Sequence, residues 1–135
     1  GHHNRKFMRL TGMDVGEHQA ARLLADLDTW RATNGLEGIP LEEAAHQWIT
    51  DVFTPVVRAI PRELAGKLEP AQLYHEYLEH RWYMAQQAGH DVTRDEALAS
   101  YIETILPSKR DEAVLIEPGP GRSSIFSAES NPDLW

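Results

Sequence analysis

Asp14-Val15-Gly16-Glu17-His18-Gln19-Ala20-Ala21-Arg22-Leu23-Leu24-Ala25-Asp26-Leu27-Asp28-Thr29-Trp30 is the stretch that decides the fold class. Ala20, Leu23, Leu24, Leu27 and Trp30 recur at steps of three and four residues. Side chains return to one face of an α-helix at that period, so the stretch predicts an amphipathic helix. Asp14 stands three residues before Glu17, the spacing of a capping box, with Asp where Ser or Thr is more usual. Asn34-Gly35 supplies the stop, because both residues tolerate the left-handed backbone of a helix end.

The same grammar extends in both directions. Upstream, Asn4 to Thr11 reads as a short helix ended by Gly12, with Arg5, Lys6 and Arg9 as the one concentrated basic patch. Downstream, a helix is expected from Pro40, with a broad apolar face from Ala45 through Trp48, Val52 and Val56 to Ile60. Pro55 falls inside that face. It lacks a donor and disfavours helix at Thr54, so a kink or a break is expected there. Residues 61–68 read as a turn or loop. The next helix runs from Pro70 to Ala88 with Gly89 as its cap, and a last one opens on the capping box Thr93/Glu96 and ends at Pro107.

Alternating Val/Ile segments are lacking, so the reading is all-α: a compact bundle of about five helices over residues 1–107. Leu23, Leu27, Trp48, Val52, Leu78, Trp82, Leu98 and Ile102 are the expected shared core, with Trp82→Ala costing about 3–5 kcal/mol. From Pro107 on, 29 residues hold four of the eight prolines and five of the six serines. Residues 108–135 therefore read as an extended tail packed on the domain or on a neighbour, anchored by Ile125, Phe126, Leu134 and Trp135, and available for homo-oligomer contacts.

Composition excludes several classes. The 135 residues contain no cysteine, which removes disulfides, thiolate metal sites and a cysteine nucleophile, and fits a cytoplasmic setting. Thirteen Lys and Arg against 21 Asp and Glu give a net charge of −8, which disfavours nucleic-acid binding through a general basic surface. No apolar run approaches a membrane span of about 20 residues. Phosphate-binding loops, dinucleotide fingerprints and kinase catalytic motifs are absent from the sequence.

The densest polar run is His75-Glu76-Tyr77-Leu78-Glu79-His80-Arg81-Trp82. It misses the zinc-protease pattern H-E-x-x-H: the residue four after His75 is Glu79, and His80 lies about 500° around the helix from His75. Two pairs at four-residue spacing remain, His75 with Glu79 and Glu76 with His80. With Arg81 they read as structural pairs at the border of the helix's buried face, not as a metal or catalytic centre. The competing reading is a metal-dependent enzyme whose site, between helices, uses Glu43, His46, His75 and Glu79. It uses the single E-x-x-H of the chain, a spacing that arises easily among 21 acids and seven histidines. A third reading is a small-molecule sensor with a pocket lined by Trp48, Tyr77 and Trp82. Arg5, Lys6 and Arg9 are a candidate contact for an acidic surface or phosphates, against the plainer reading of a solvated helix end.

The runs from Gly1 to Val15, Ala44-Ala45-His46-Gln47-Trp48, Pro55-Val56-Val57-Arg58-Ala59-Ile60-Pro61 and Leu78-Glu79-His80-Arg81-Trp82-Tyr83 resemble the C-terminal region of an actinobacterial family, domain-of-unknown-function family 4032. The resemblance covers residues 1–107 in order and spacing. It implies a helical region that follows an N-terminal lipopolysaccharide-kinase-like domain, and so a native Gly1-His2-His3 start inside a longer protein. The ATP site and catalytic aspartates would belong to the preceding domain, and none of those residues is carried over to this chain. The resemblance thus points to a non-catalytic helical accessory or interaction domain that needs no cofactor of its own, partnered by the kinase-like domain. The longer protein would be the phosphotransferase.

Overall fold

A computed structural model describes residues 1–110, and all the regular structure in them is helical. Residues 111–135, most of the expected tail and its anchors Ile125, Phe126, Leu134 and Trp135, lie outside the described residues. The chain divides into two units, Gly1–Pro55 and a second beginning at Val56.

In the first unit α1 (His2–Thr11), α2 (Glu17–Thr33) and α3 (Leu41–Trp48) pack on one another. Phe7 from α1, Ala20, Leu23 and Leu27 from α2, and Ala44, Ala45 and Trp48 from α3 are fully buried. Trp48 joins this core at both ends of its indole. Its ring meets the edge of Phe7 at 6.3 Å and lies 5.6 Å from Phe53, while its Nε1 donates to Asp26 Oδ2 at 3.1 Å. The indole thus brings a large apolar area inside without stranding its N–H.

The expected capping box at Asp14 does not form. α2 starts at Glu17 with Gly16 in the cap position and no side-chain cap. The Glu17 carboxylate turns instead to the start of α1, where it accepts from the backbone N–H of Asn4 at 3.0 Å and of His3 at 3.2 Å and meets the His3 ring. These are N–H groups that a helix leaves without an internal partner. At the other end of α2, Arg31 fastens the loop that follows by donating to the carbonyls of Leu36, Glu37 and Ile39.

Pro55 and Pro107 shape their helices in the same way. A π-helical turn covers Ile49–Phe53 ahead of α4 (Thr54–Arg58), and another covers Tyr101–Ile105 ahead of a 3₁₀ turn at Leu106–Ser108. Each proline sits two residues past its π turn. The N–H of Thr54 reaches the Ile49 carbonyl and that of Leu106 reaches the Tyr101 carbonyl, five residues back. In a regular α-helix each proline ring would press on the carbonyl four residues earlier, Asp51 or Glu103. Those two residues are the midpoints of the π turns, so the widened turn relieves the clash. The expected kink or break at Pro55 is instead this one-residue widening.

In the second unit, α5 (Pro70–Ala88) begins with proline in its first turn and ends on Gly89 at φ 78°, and α6 (Arg94–Ser100) begins on the capping box of Thr93 and Glu96, which forms in full. The two helices pack together. Leu73, Tyr74 and Tyr77 of α5, Ala97 of α6, and Tyr101 and Leu106 beyond it are fully buried.

This corrects the expected core. Leu23, Leu27, Trp48 and Val52 are buried as anticipated, but Leu78, Leu98 and Ile102 are only partly covered and Trp82 is 61% exposed. The buried positions in the second unit, Tyr77, Ala97 and Tyr101, each lie one residue before an expected one, a rotation of about 100° on the helix. Two of the buried rings have a bonded hydroxyl: Arg94 Nη1 donates to Tyr74 Oη at 3.0 Å, and Tyr101 Oη donates to Glu76 Oε1 at 3.2 Å.

Candidate functional site

Glu76 is the centre of the polar residues on α5. One helical turn before it, Gln72 Nε2 donates to Glu76 Oε2 at 3.0 Å. From the π turn after α6, Tyr101 Oη donates to Oε1, and from beyond the 3₁₀ turn Lys109 Nζ approaches the same oxygen at 3.3 Å. Three donors from three segments therefore converge on one largely buried carboxylate. Lys109 is itself tethered, because Lys67 Nζ donates to its carbonyl at 2.8 Å.

The Tyr101 hydroxyl is pushed well above the usual phenol range, first by burial, then by the negative charge of Glu76 and by the hydrogen bond it donates there. It stays a donor throughout the physiological range. His80 lies one turn beyond Glu76 but does not pair with it. Its Nε2 is 2.8 Å from Ser100 Oγ, its ring stacks on Tyr83 at 6.3 Å and tilts against Tyr101 at the same distance. Burial lowers its pKa from the ordinary 6.5, which favours the neutral imidazole.

Of the two helical pairs read from the sequence, only one is present. His75 Nε2 comes within 3.5 Å of Glu79 Oε2, with His75 buried and Glu79 exposed. Arg81 leaves the cluster and donates from Nε to the Val92 carbonyl at 2.8 Å, tying the loop between α5 and α6. Gln72, Glu76, Glu79, His80, Ile105 and Lys109 line a shallow open groove of about 280 Å³.

Glu43 and His46 are on α3 of the first unit, both exposed. Trp48 is enclosed in the first unit's core, Tyr77 is fully buried on α5, and Trp82 is on the surface. Arg5 and Arg9 are exposed on α1 and Lys6 is half-buried. The residues that sequence reasoning missed are Gln72, Ser100, Tyr101 as a polar group, and Lys109. Gln72 carried a signal, its four-residue spacing to Glu76. The others come from separate segments, which no local spacing reports.

The arrangement braces one carboxylate with a full set of donors and holds a histidine neutral against a serine. It ties α5 to the segment after α6. In the second half of the same helix Trp82 and Tyr83 are 61% and 55% exposed, the Tyr83 ring lying against His80.

A family model described as a domain of unknown function, DUF4032, matches residues 1–106. The chain belongs to this family. No curated protein and no solved structure matches it. The DUF4032 match takes in all of α1 to α6, with Glu76, His80, Ser100 and Tyr101, and stops short of Lys109. No helix among the described residues is long and apolar enough to cross a membrane.

Proposed function

We propose that this DUF4032 chain is a non-catalytic helical interaction module of a cytoplasmic protein, and that the Trp82–Tyr83 stretch of α5 docks a preceding lipopolysaccharide-kinase-like domain of the kind the sequence resemblance implies. The observation that carries the reading is the exposure of two adjacent large aromatic side chains on a helix whose other tyrosines are fully buried. Tyr and Trp are the residues that concentrate binding energy at protein interfaces, because they offer wide, stiff, amphipathic contact. The polar cluster favours the same reading. Glu76 is occupied by Gln72, Tyr101 and Lys109, an arrangement suited to holding elements together. The sequence carries no nucleotide-binding motif, so phosphotransfer would belong to the preceding domain.

The test is a calorimetric titration of the separately produced kinase-like domain with this chain and with its Trp82→Ala and Tyr83→Ala variants. Each substitution is expected to weaken binding about tenfold or more, the loss typical of a central interface aromatic, with helix content unchanged. Equal affinities for all three chains, or no binding by any, would overturn the proposal.

A further inference from the structure

His80 stands between buried Tyr101 and exposed Tyr83. Its ring tilts against the first and stacks on the second, with 6.3 Å between centroids in each case and an angle of 21° to Tyr83. Tyr101 offers a fixed backing, because it is fully buried and its hydroxyl is bound to Glu76. Tyr83 is 55% exposed, and the His80 ring is its one aromatic neighbour among the described residues. The orientation of Tyr83 is therefore set by His80. His80 is set in turn by Tyr101 and by the 2.8 Å bond between its Nε2 and Ser100 Oγ.

The surroundings of His80 suit a neutral ring. The Ser100 hydroxyl both donates and accepts, so it serves Nε2 in either tautomer. An imidazolium carries an N–H on both nitrogens, and Ser100 is the ring's only hydrogen-bond partner among the described residues. Within the second unit, the charged groups that share its groove are Glu76, Glu79 and Lys109. Glu76 and Lys109 pair with each other and Glu79 approaches His75, so no carboxylate there closes on the His80 ring. The other titratable neighbours are the two tyrosines, and a tyrosine face attracts a cation only weakly at an exposed site. Burial accordingly lowers the pKa of His80 from 6.5. A protonated ring gains by turning its second N–H to water, and a partner seated on Tyr83 would bury the ring further and raise the cost of the charge.

We infer that His80 is a proton-sensitive positioning residue of the docking surface: neutral, it holds the Tyr83 ring in place for the partner, and protonated, it turns to solvent and releases that ring. Docking is then coupled to loss of a proton from His80. Affinity is full above pH 6.5 and falls as pH drops through the lower folded value. This regulation rests on the docking reading of Trp82 and Tyr83 and deepens it.

Two measurements tell the regulation apart from the docking beneath it. The first uses this chain alone. Ring signals of His80 and Tyr83, assigned by their loss in His80→Phe and Tyr83→Phe, are followed by NMR between pH 5 and pH 7.5. The His80 signals should titrate with a midpoint below 6.5, and the Tyr83 ring signals should shift with the same midpoint. In His80→Phe, which keeps a ring against Tyr83 but holds no proton, the Tyr83 signals should stay still. A Tyr83 ring that ignores the titration of His80 overturns the inference and leaves the docking reading standing. The second measurement is the calorimetric titration of the kinase-like domain, repeated at pH 7.5 and pH 5. The parent chain should lose about threefold or more in affinity at pH 5 beyond any loss shown by His80→Phe. Equal losses for the two chains overturn the inference. No binding by either chain at pH 7.5 overturns the docking reading, and the inference with it.

Discussion

Glu76 is the residue with the most at stake. Its carboxylate receives Gln72, Tyr101 and Lys109, and its removal would leave the buried Tyr101 hydroxyl and the Lys109 ammonium without their acceptor. Glu76→Ala is expected to cost about 1.5–3 kcal/mol by urea unfolding, and Tyr101→Phe about 0.5–1.5 kcal/mol, because the phenyl ring keeps the packing. The two effects should fall short of additive in the double variant, since the partners share one bond. His80 adds a pH dependence. Burial lowers its pKa below 6.5, so the unfolded chain binds more protons than the native one as pH falls under that value. Its contribution is complete above pH 6.5 and is lost as pH falls through the lower folded value. His80→Gln, which keeps a hydrogen-bonding group near Ser100, should flatten the thermal midpoint against pH in that range. The polar run 75–81 drew attention from sequence alone, but its pairing was only half legible. Four-residue spacing identifies His75 with Glu79; it cannot report that Glu76 has better donors on Tyr101 and Lys109, or that His80 has Ser100.

At the scale of the element, helix ends and helix faces were legible to different degrees. Pro70, Gly89 and the Thr93/Glu96 box announced their boundaries, because those signals are satisfied within one helix. Asp14/Glu17 had the same spacing, yet Glu17 caps α1, a choice that depends on how α1 and α2 meet. This exchange carries a test. The backbone N–H of Asn4, then the His3 ring, holds the Glu17 carboxyl at about 2, against an ordinary value of 4.5. The native state therefore binds fewer protons than the unfolded one between those values. The stabilisation is full above pH 4.5 and is lost as pH falls towards 2. Glu17→Gln should lose part of the drop in melting temperature between pH 5 and pH 3 that the parent shows, read by circular dichroism. The buried face of α5 was missed by one residue because Leu78 and Trp82 are more apolar than Tyr74 and Tyr77. Hydropathy ranks a tyrosine by its hydroxyl, whereas Arg94 and Glu76 satisfy the hydroxyls of Tyr74 and Tyr101 and make such rings good core residues.

For the whole molecule, the all-helical class followed from three- and four-residue periodicity, and membership of DUF4032 accounts for residues 1–106. What the periodicity could not give is the division at Pro55, or which aromatic rings each unit encloses. Trp48 is the keystone of the first unit, with Phe7, Phe53 and Asp26 on its ring, and Trp48→Ala is expected to cost about 3–5 kcal/mol. In the second unit the account divides α5 itself. Its first half, through Leu73, Tyr74 and Tyr77, holds the unit together, and in its second half Trp82 and Tyr83 are exposed. Urea unfolding of Tyr77→Ala beside Trp82→Ala measures that division directly. The account predicts a loss of about 3–5 kcal/mol for Tyr77→Ala and a change within about 0.5 kcal/mol for Trp82→Ala. A loss for Trp82→Ala as large as that for Tyr77→Ala would contradict it, because Trp82 would then belong to the core.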